Sequence, residues 1–132
     1  MGKDERRAAQ NGKSSVVERR TFDRYDVEWS VDCIAQDDTF LFASITNISQ
    51  MGIFVSTIHP PPVGTRMRLS FEPPGIDPFS LDGAVAWINR VRLNGDNPNP
   101  GMGVRFVDLR PNERERLVNV IRTIAYVRDP SD

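Results

Sequence analysis

The chain has 132 residues, 39% of them hydrophobic and 27% charged, and a formal net charge of −1. That suits one soluble domain large enough to bury a core. It holds no apolar run of membrane-spanning length and no signal-peptide pattern, and its single cysteine, Cys33, excludes an internal disulfide framework and suits a reducing cytoplasm.

The net charge hides an asymmetry. Residues 1–24 hold seven Lys/Arg against four acids, a net of +3, which leaves −4 on the remainder. A small anionic ligand is drawn to the N-terminal end, whereas a long nucleic acid needs a broader basic face.

Residues 1–17 are polar and charged without an apolar period, the pattern of a flexible basic tail. From Tyr25 onward Val27, Trp29, Val31, Cys33 and Ala35 alternate with polar residues, the period of a half-buried antiparallel strand. Asp37-Asp38 predicts a turn, Thr39 to Ile48 a second strand, and Ile53 to Ser56 a third. His59-Pro60-Pro61-Pro62-Val63-Gly64 is a stiff connector that cannot join a central ladder. Met67, Leu69 and Phe71 mark a fourth strand, and Pro73, Pro74 and Gly75 break the chain after it. Phe79, Leu81, Gly83, Val85 and Trp87 line one face of a long fifth strand, which places Trp87 in the barrel; a place at the rim flanking a bound base is the alternative. Asn94-Gly95-Asp96-Asn97-Pro98 signals a hairpin loop. Met102, Val104 and Phe106 share a face of a sixth strand.

One helix ends the series. Pro111 suits its first turn, Glu113 and Glu115 favour the positive end of its dipole, and Arg122 and Arg128 follow later. Leu117, Val120, Ile121 and Ile124 form its apolar stripe, and Arg110 falls at the N-cap position, for which it is poorly suited. The expected fold is all-β in the main: a six-stranded antiparallel β-barrel with a C-terminal α-helix packed on it. The expected domain spans residues 18–128, with a short tail at 129–132.

Two short motifs stand out. Arg19, Arg20 and Arg24 put three guanidiniums just before the first strand; such planar forks bind phosphate oxygens bidentately and reach the O6/N7 edge of guanine. Asn47-Ile48-Ser49-Gln50-Met51-Gly52 sits at the second turn, where Asn47 and Ser49 offer groups suited to a base edge and Gly52 allows positive φ or close backbone approach. Each motif alone is ordinary, a set of surface charges and a hairpin turn.

Together, Arg20-x-x-x-Arg24 and Asn47-x-Ser49-x-x-Gly52 resemble the PilZ domain family, as does the Gly101-Met102-Gly103-Val104-Arg105-Phe106 segment. The resemblance covers residues 18 to 126 and implies the barrel-plus-helix fold and a non-enzymatic receptor for cyclic di-GMP, a bacterial messenger with two phosphates and two guanines. It implies that Arg20 and Arg24 grip phosphate and guanine, that Asn47 and Ser49 read guanine edges, and that Gly52 keeps the turn open. The family often has Asp where Asn47 stands; Asn keeps an acceptor but loses the charge, which weakens a contact to guanine N–H groups. An arginine placed like Arg19 is similar to that of members binding a stacked pair of ligands, which implies two molecules per chain; the alternative is that Arg19 faces solvent.

Elsewhere the plain readings hold. Cys33 is a core thiol, His59 a surface loop residue with no partners for a metal, and Phe22 either a lid or an anchor for the arginine loop. No Ser/His/Asp set, phosphate loop or dinucleotide fingerprint appears, so nothing supports an enzyme. The expected partners are cyclic di-GMP and a downstream protein, with homodimerisation open and neither nucleic acid nor membrane insertion expected. The alternatives are a PilZ-like adaptor that binds no nucleotide and, less favoured, a small barrel for single-stranded nucleic acid.

Overall fold

Strict alternation of apolar and polar residues produces six strands whose inner faces close on one another. In the computed structural model, which describes residues 23–91 and 99–128, these are β1 (Tyr25–Ala35), β2 (Phe40–Ile48), β3 (Gly52–Ser56), β4 (Arg66–Phe71), β5 (Phe79–Asn89) and β6 (Gly101–Phe106). Among the described residues one helix, α1 (Pro111–Arg128), follows. The expected tails at 1–17 and 129–132, Phe22, and the hairpin loop at Asn94–Pro98 lie outside the described residues.

The strands form a closed antiparallel barrel in the order β1-β2-β3-β6-β5-β4. Closure comes from β1, which pairs with β2 along one edge and with β4 along the other, so Cys33 stands opposite both Leu41 and Leu69. A closed barrel leaves no edge to be protected. Its interior is filled by Val31, Ile45, Ile53, Val55, Leu69, Leu81, Met102 and Val104, each no more than 2% exposed. Every one of these sits at the phase that period-2 alternation assigns to the core.

The turns match their residues. Asp38 adopts a positive φ of 69° and donates its N–H to the Ala35 carbonyl, closing the β1–β2 hairpin. Gly64 ends the proline connector at φ 94°, where a side chain would be strained.

The helix stripe is as its spacing predicts: Leu117, Val120 and Ile121 are buried and Ile124 packs against the core. Arg116 fastens the first half of α1, with its guanidinium 4.0 Å from the Phe79 ring centroid and hydrogen bonds to the carbonyls of Asp77 and Pro78. The N-terminus is less poorly capped than Arg110 suggests. The Glu113 carboxylate reaches back to accept the Arg110 N–H at 2.9 Å, one half of a capping box.

Three bulges interrupt the ladders: on β1 between Asp26 and Trp29, on β2 between Ile45 and Asn47, and on β5 between Val85 and Trp87. The first two flank the Asn47 segment, and the third lies on a strand that borders the same region. Bulges bend a strand and re-aim its side chains. The third overturns the expectation that Trp87 packs inside. Val85 faces Val104 while Trp87 faces Gly103, so one extra residue is inserted and the inward phase passes to Ile88. Trp87 is left outside, 51% exposed.

Candidate ligand-binding site

The second turn is built from its own hydrogen bonds. Ser49 donates its N–H to the Gly52 carbonyl at 2.9 Å, and its Oγ accepts the Met51 N–H at 3.1 Å. These bonds bury Ser49 to 1% exposure, a depth that a serine reaches only when its hydroxyl is satisfied. The following strand then begins against β6.

Gly52 is required here, though not for a positive φ. A Cβ on it would lie 2.2 Å from the Val104 carbonyl oxygen and 2.9 Å from the Arg105 Cα. The close approach at Gly52 in this structure is to the main chain of β6. Glycine lets β3 and β6 pack directly beneath the turn.

Onto this turn comes Arg24, from the residue just before β1. Its Nε donates to Asn47 Oδ1 at 2.8 Å and its Nη1 to Ser49 Oγ at 3.3 Å. Two motifs more than twenty residues apart in sequence are thereby joined through three side chains. Partial burial lowers the Arg24 pKa from its ordinary value. Among the described residues no carboxylate pairs with Arg24; the ion pairs there are Arg66–Asp108 and Arg68–Asp82. A desolvated guanidinium with neutral partners keeps its charge available for an anion.

Beside the turn lies a shallow cleft of about 90 Å³, walled by Arg24, Met51, Trp87 and Arg105 and floored by Gly52, Ile53 and Val104. It is too shallow to enclose a dinucleotide, so a ligand of that size lies across it. Trp87 rests one face on Gly103, where a Cβ would come within 2.1 Å of the indole nitrogen, and on Phe54, with ring centroids 5.4 Å apart. The side chain is half exposed and borders the cleft. Aromatic rings stacked over glycine in this manner are fixed in orientation, and a fixed, half-open indole is a surface on which a base can stack.

Of the residues singled out from sequence, Arg24, Asn47, Ser49 and Gly52 come together here, and Arg19 and Arg20 lie outside the described residues. Arg105 was missed, and Trp87 was placed on the wrong face. The glycines at 101 and 103 held a signal: small residues on the outer face of β6 leave room for a neighbouring ring. His59 is exposed and Cys33 buried, as expected, with the Cys33 thiol pushed up to about 12 by burial. No metal-binding cluster of His, Cys, Asp or Glu occurs among the described residues.

A six-stranded closed barrel with a terminal helix, carrying an arginine bound to an Asn-x-Ser turn, defines a class of small antiparallel barrels. The PilZ domain model matches residues 18–123, and the chain belongs to that family. Solved structures agree on the fold. The PilZ domain of YcgR from Escherichia coli with c-di-GMP superposes with a TM-score of 0.67 at 15% identity, covering 86% of this chain and 96% of that one. YcgR from Escherichia coli in complex with c-di-GMP gives 0.69 at 18% identity, over 86% of this chain and 50% of that chain. The Bacillus subtilis inhibitor of motility, MotI/DgrA, gives 0.63 at 20% identity, over 80% of this chain and 50% of that chain. The chain thus spans about half the length of the last two. No curated protein matches it.

Proposed function

We propose that this chain is a receptor for cyclic di-GMP, bound across the Arg19–Arg24 segment and the Asn47–Gly52 turn. The observation that carries the reading is the pair of hydrogen bonds from Arg24 to Asn47 and Ser49, which unites the two family motifs beside a cationic cleft. Arg20 and Arg24 grip phosphate and guanine, and Asn47 meets a guanine edge. Ser49, buried and already bonded to Arg24, holds that guanidinium in place. Trp87 stacks on a base and Arg105 adds a second charge to the cleft wall. Ligand binding changes the conformation of the arginine segment and offers a new surface to a partner protein. Two solved structures of one relative, YcgR, with c-di-GMP support the ligand class.

Calorimetric titration with cyclic di-GMP, with GTP and GMP as controls, tests this directly. Saturable binding at two ligands per chain supports the receptor and gives Arg19 a role in a stacked pair. One per chain keeps the receptor and leaves Arg19 to solvent. No binding overturns it in favour of a protein-only adaptor, a reading kept in view by the likeness to an inhibitor of motility.

A further inference from the structure

The opposite end of the β1–β2 hairpin carries a second surface. A groove of about 710 Å³ opens between the hairpin tip and the proline connector, lined by Phe40, Leu41, Met67, Pro61 and Pro62 among others. Phe40 at its lip is 59% exposed, and Phe42, the next outward residue of β2, is 66% exposed. Two adjacent phenylalanines on the outer face of a barrel strand have no role in the core and are unfavourable in water.

The charge around the groove is acidic on balance, because Asp37 lines it unpaired by a cation among the described residues, whereas Arg66, which also lines it, is paired with Asp108. Asp37 and Asp38 form the hairpin tip, and Asp32 stands opposite Phe42 in the ladder. Asp37 accepts the Thr39 N–H at 3.0 Å, which favours its ionised form. The nearby cations are engaged, Arg66 with Asp108 and Arg68 with Asp82. An apolar groove with an unbalanced acidic rim is complementary to a segment that is apolar on one side and basic on the other.

We propose that this groove docks a basic, amphipathic segment of a partner protein. A second copy of the chain is disfavoured, because a two-fold contact through this face would bring the Asp37-Asp38 tips of both copies together. Asn47 lies seven positions along β2 from Phe40, about 23 Å of strand, so this surface and the Arg24 site can be occupied together. The inference goes beyond the nucleotide reading and does not depend on it.

Three short synthetic peptides titrated into the isotope-labelled full-length chain test it by amide chemical-shift mapping: leucine–lysine, leucine–glutamate and serine–lysine. The expected result is saturable shifts at Phe40, Phe42, Leu41 and Met67 with leucine–lysine alone. Phe40→Ser with Phe42→Ser, and separately Asp37→Asn with Asp38→Asn, should each weaken that binding about tenfold at unchanged melting temperature. Both pairs are exposed, and Asn keeps the left-handed turn at position 38 and the acceptor for Thr39 at position 37, so neither change threatens the fold. No shifts, equal shifts with leucine–glutamate or serine–lysine, or shifts mapping elsewhere overturn the proposal. Shifts of the same amides on diluting the protein alone would assign the face to self-association. Broadening of the Phe40 and Phe42 amides by a spin label on Lys3→Cys, without peptide, would assign it to the chain's own basic tail. Either result also overturns the proposal.

Discussion

Arg24 and Asn47 meet at 2.8 Å, guanidinium Nε to amide Oδ1, and the contact positions the fork of an arginine that has no carboxylate partner among the described residues. Removing either partner acts on the ligand rather than on the barrel core. Arg24→Ala removes charge-assisted bonds worth about 1.5–3 kcal/mol, and cyclic di-GMP affinity should fall by roughly 10-fold to 100-fold with the melting temperature nearly unchanged. Arg20→Ala should weaken binding to a similar degree. Calorimetry on both variants measures this, and unchanged affinity in either one sinks the site assignment.

Asn47→Asp tests the opposite direction. A carboxylate keeps the acceptor that Arg24 uses and adds a charge-assisted acceptor for guanine N–H groups, which are about twice as strong as neutral ones. Affinity for cyclic di-GMP should rise by about fivefold to tenfold. A loss of affinity would mean that neutralising Arg24 outweighs the gain at guanine.

Trp87 packs on Gly103 and Phe54 and is half exposed, so its contribution to stability is small beside its proposed contribution to binding. Trp87→Ala should weaken cyclic di-GMP binding by about 1–3 kcal/mol, the range of one base–aromatic stack. Ligand should change the fluorescence of the wild-type chain and leave that of Trp87→Ala, with only Trp29 remaining, nearly constant. Equal responses from both proteins would remove Trp87 from the site.

Gly52→Ala addresses the fold beneath the site. Its Cβ would meet the Val104 carbonyl at 2.2 Å, main chain against main chain, and neither strand can yield without breaking the β3–β6 ladder. Overpacking of this kind costs about 1–3 kcal/mol, and the melting temperature should drop by roughly 5–10 °C. A variant as stable as the wild type would show that β3 and β6 separate easily.

Cys33 supplies the pH dependence. Burial, with Asp32 adding repulsion, raises its thiol from 9.0 to about 12, so between these values the unfolded chain has lost a proton that the folded chain keeps. Stability from this group is therefore complete below about pH 9 and falls as pH rises toward 12, by up to about 1.4 kcal/mol per pH unit. The native thiol should be silent to a thiol-specific reagent at mildly alkaline pH and react fully in guanidinium. Rapid native reaction would contradict the burial.

The strands, the hairpin tip at Asp37-Asp38 and the stripe of Leu117, Val120 and Ile121 were all legible as local patterns, because alternation and helical spacing belong to one segment at a time. The two motifs were legible as well, since they are composition at fixed spacing. The bulge that turns Trp87 outward was not. Val85-Ala86-Trp87 alternates as well as any strand, and an inserted residue exists only in the pairing with Val104 and Gly103.

Residue order thus carried the phase of each strand, the C-terminal helix and the family of the chain, all of which follow from short-range periodicity and motif. Which groups meet was settled by closure of the barrel. Folding β1 against β2 brings Arg24 to Asn47 and Ser49, packing β3 against β6 imposes glycine at position 52, and the β5 bulge delivers Trp87 to the same cleft. These contacts depend on register between strands, which the alternation within any single strand does not contain.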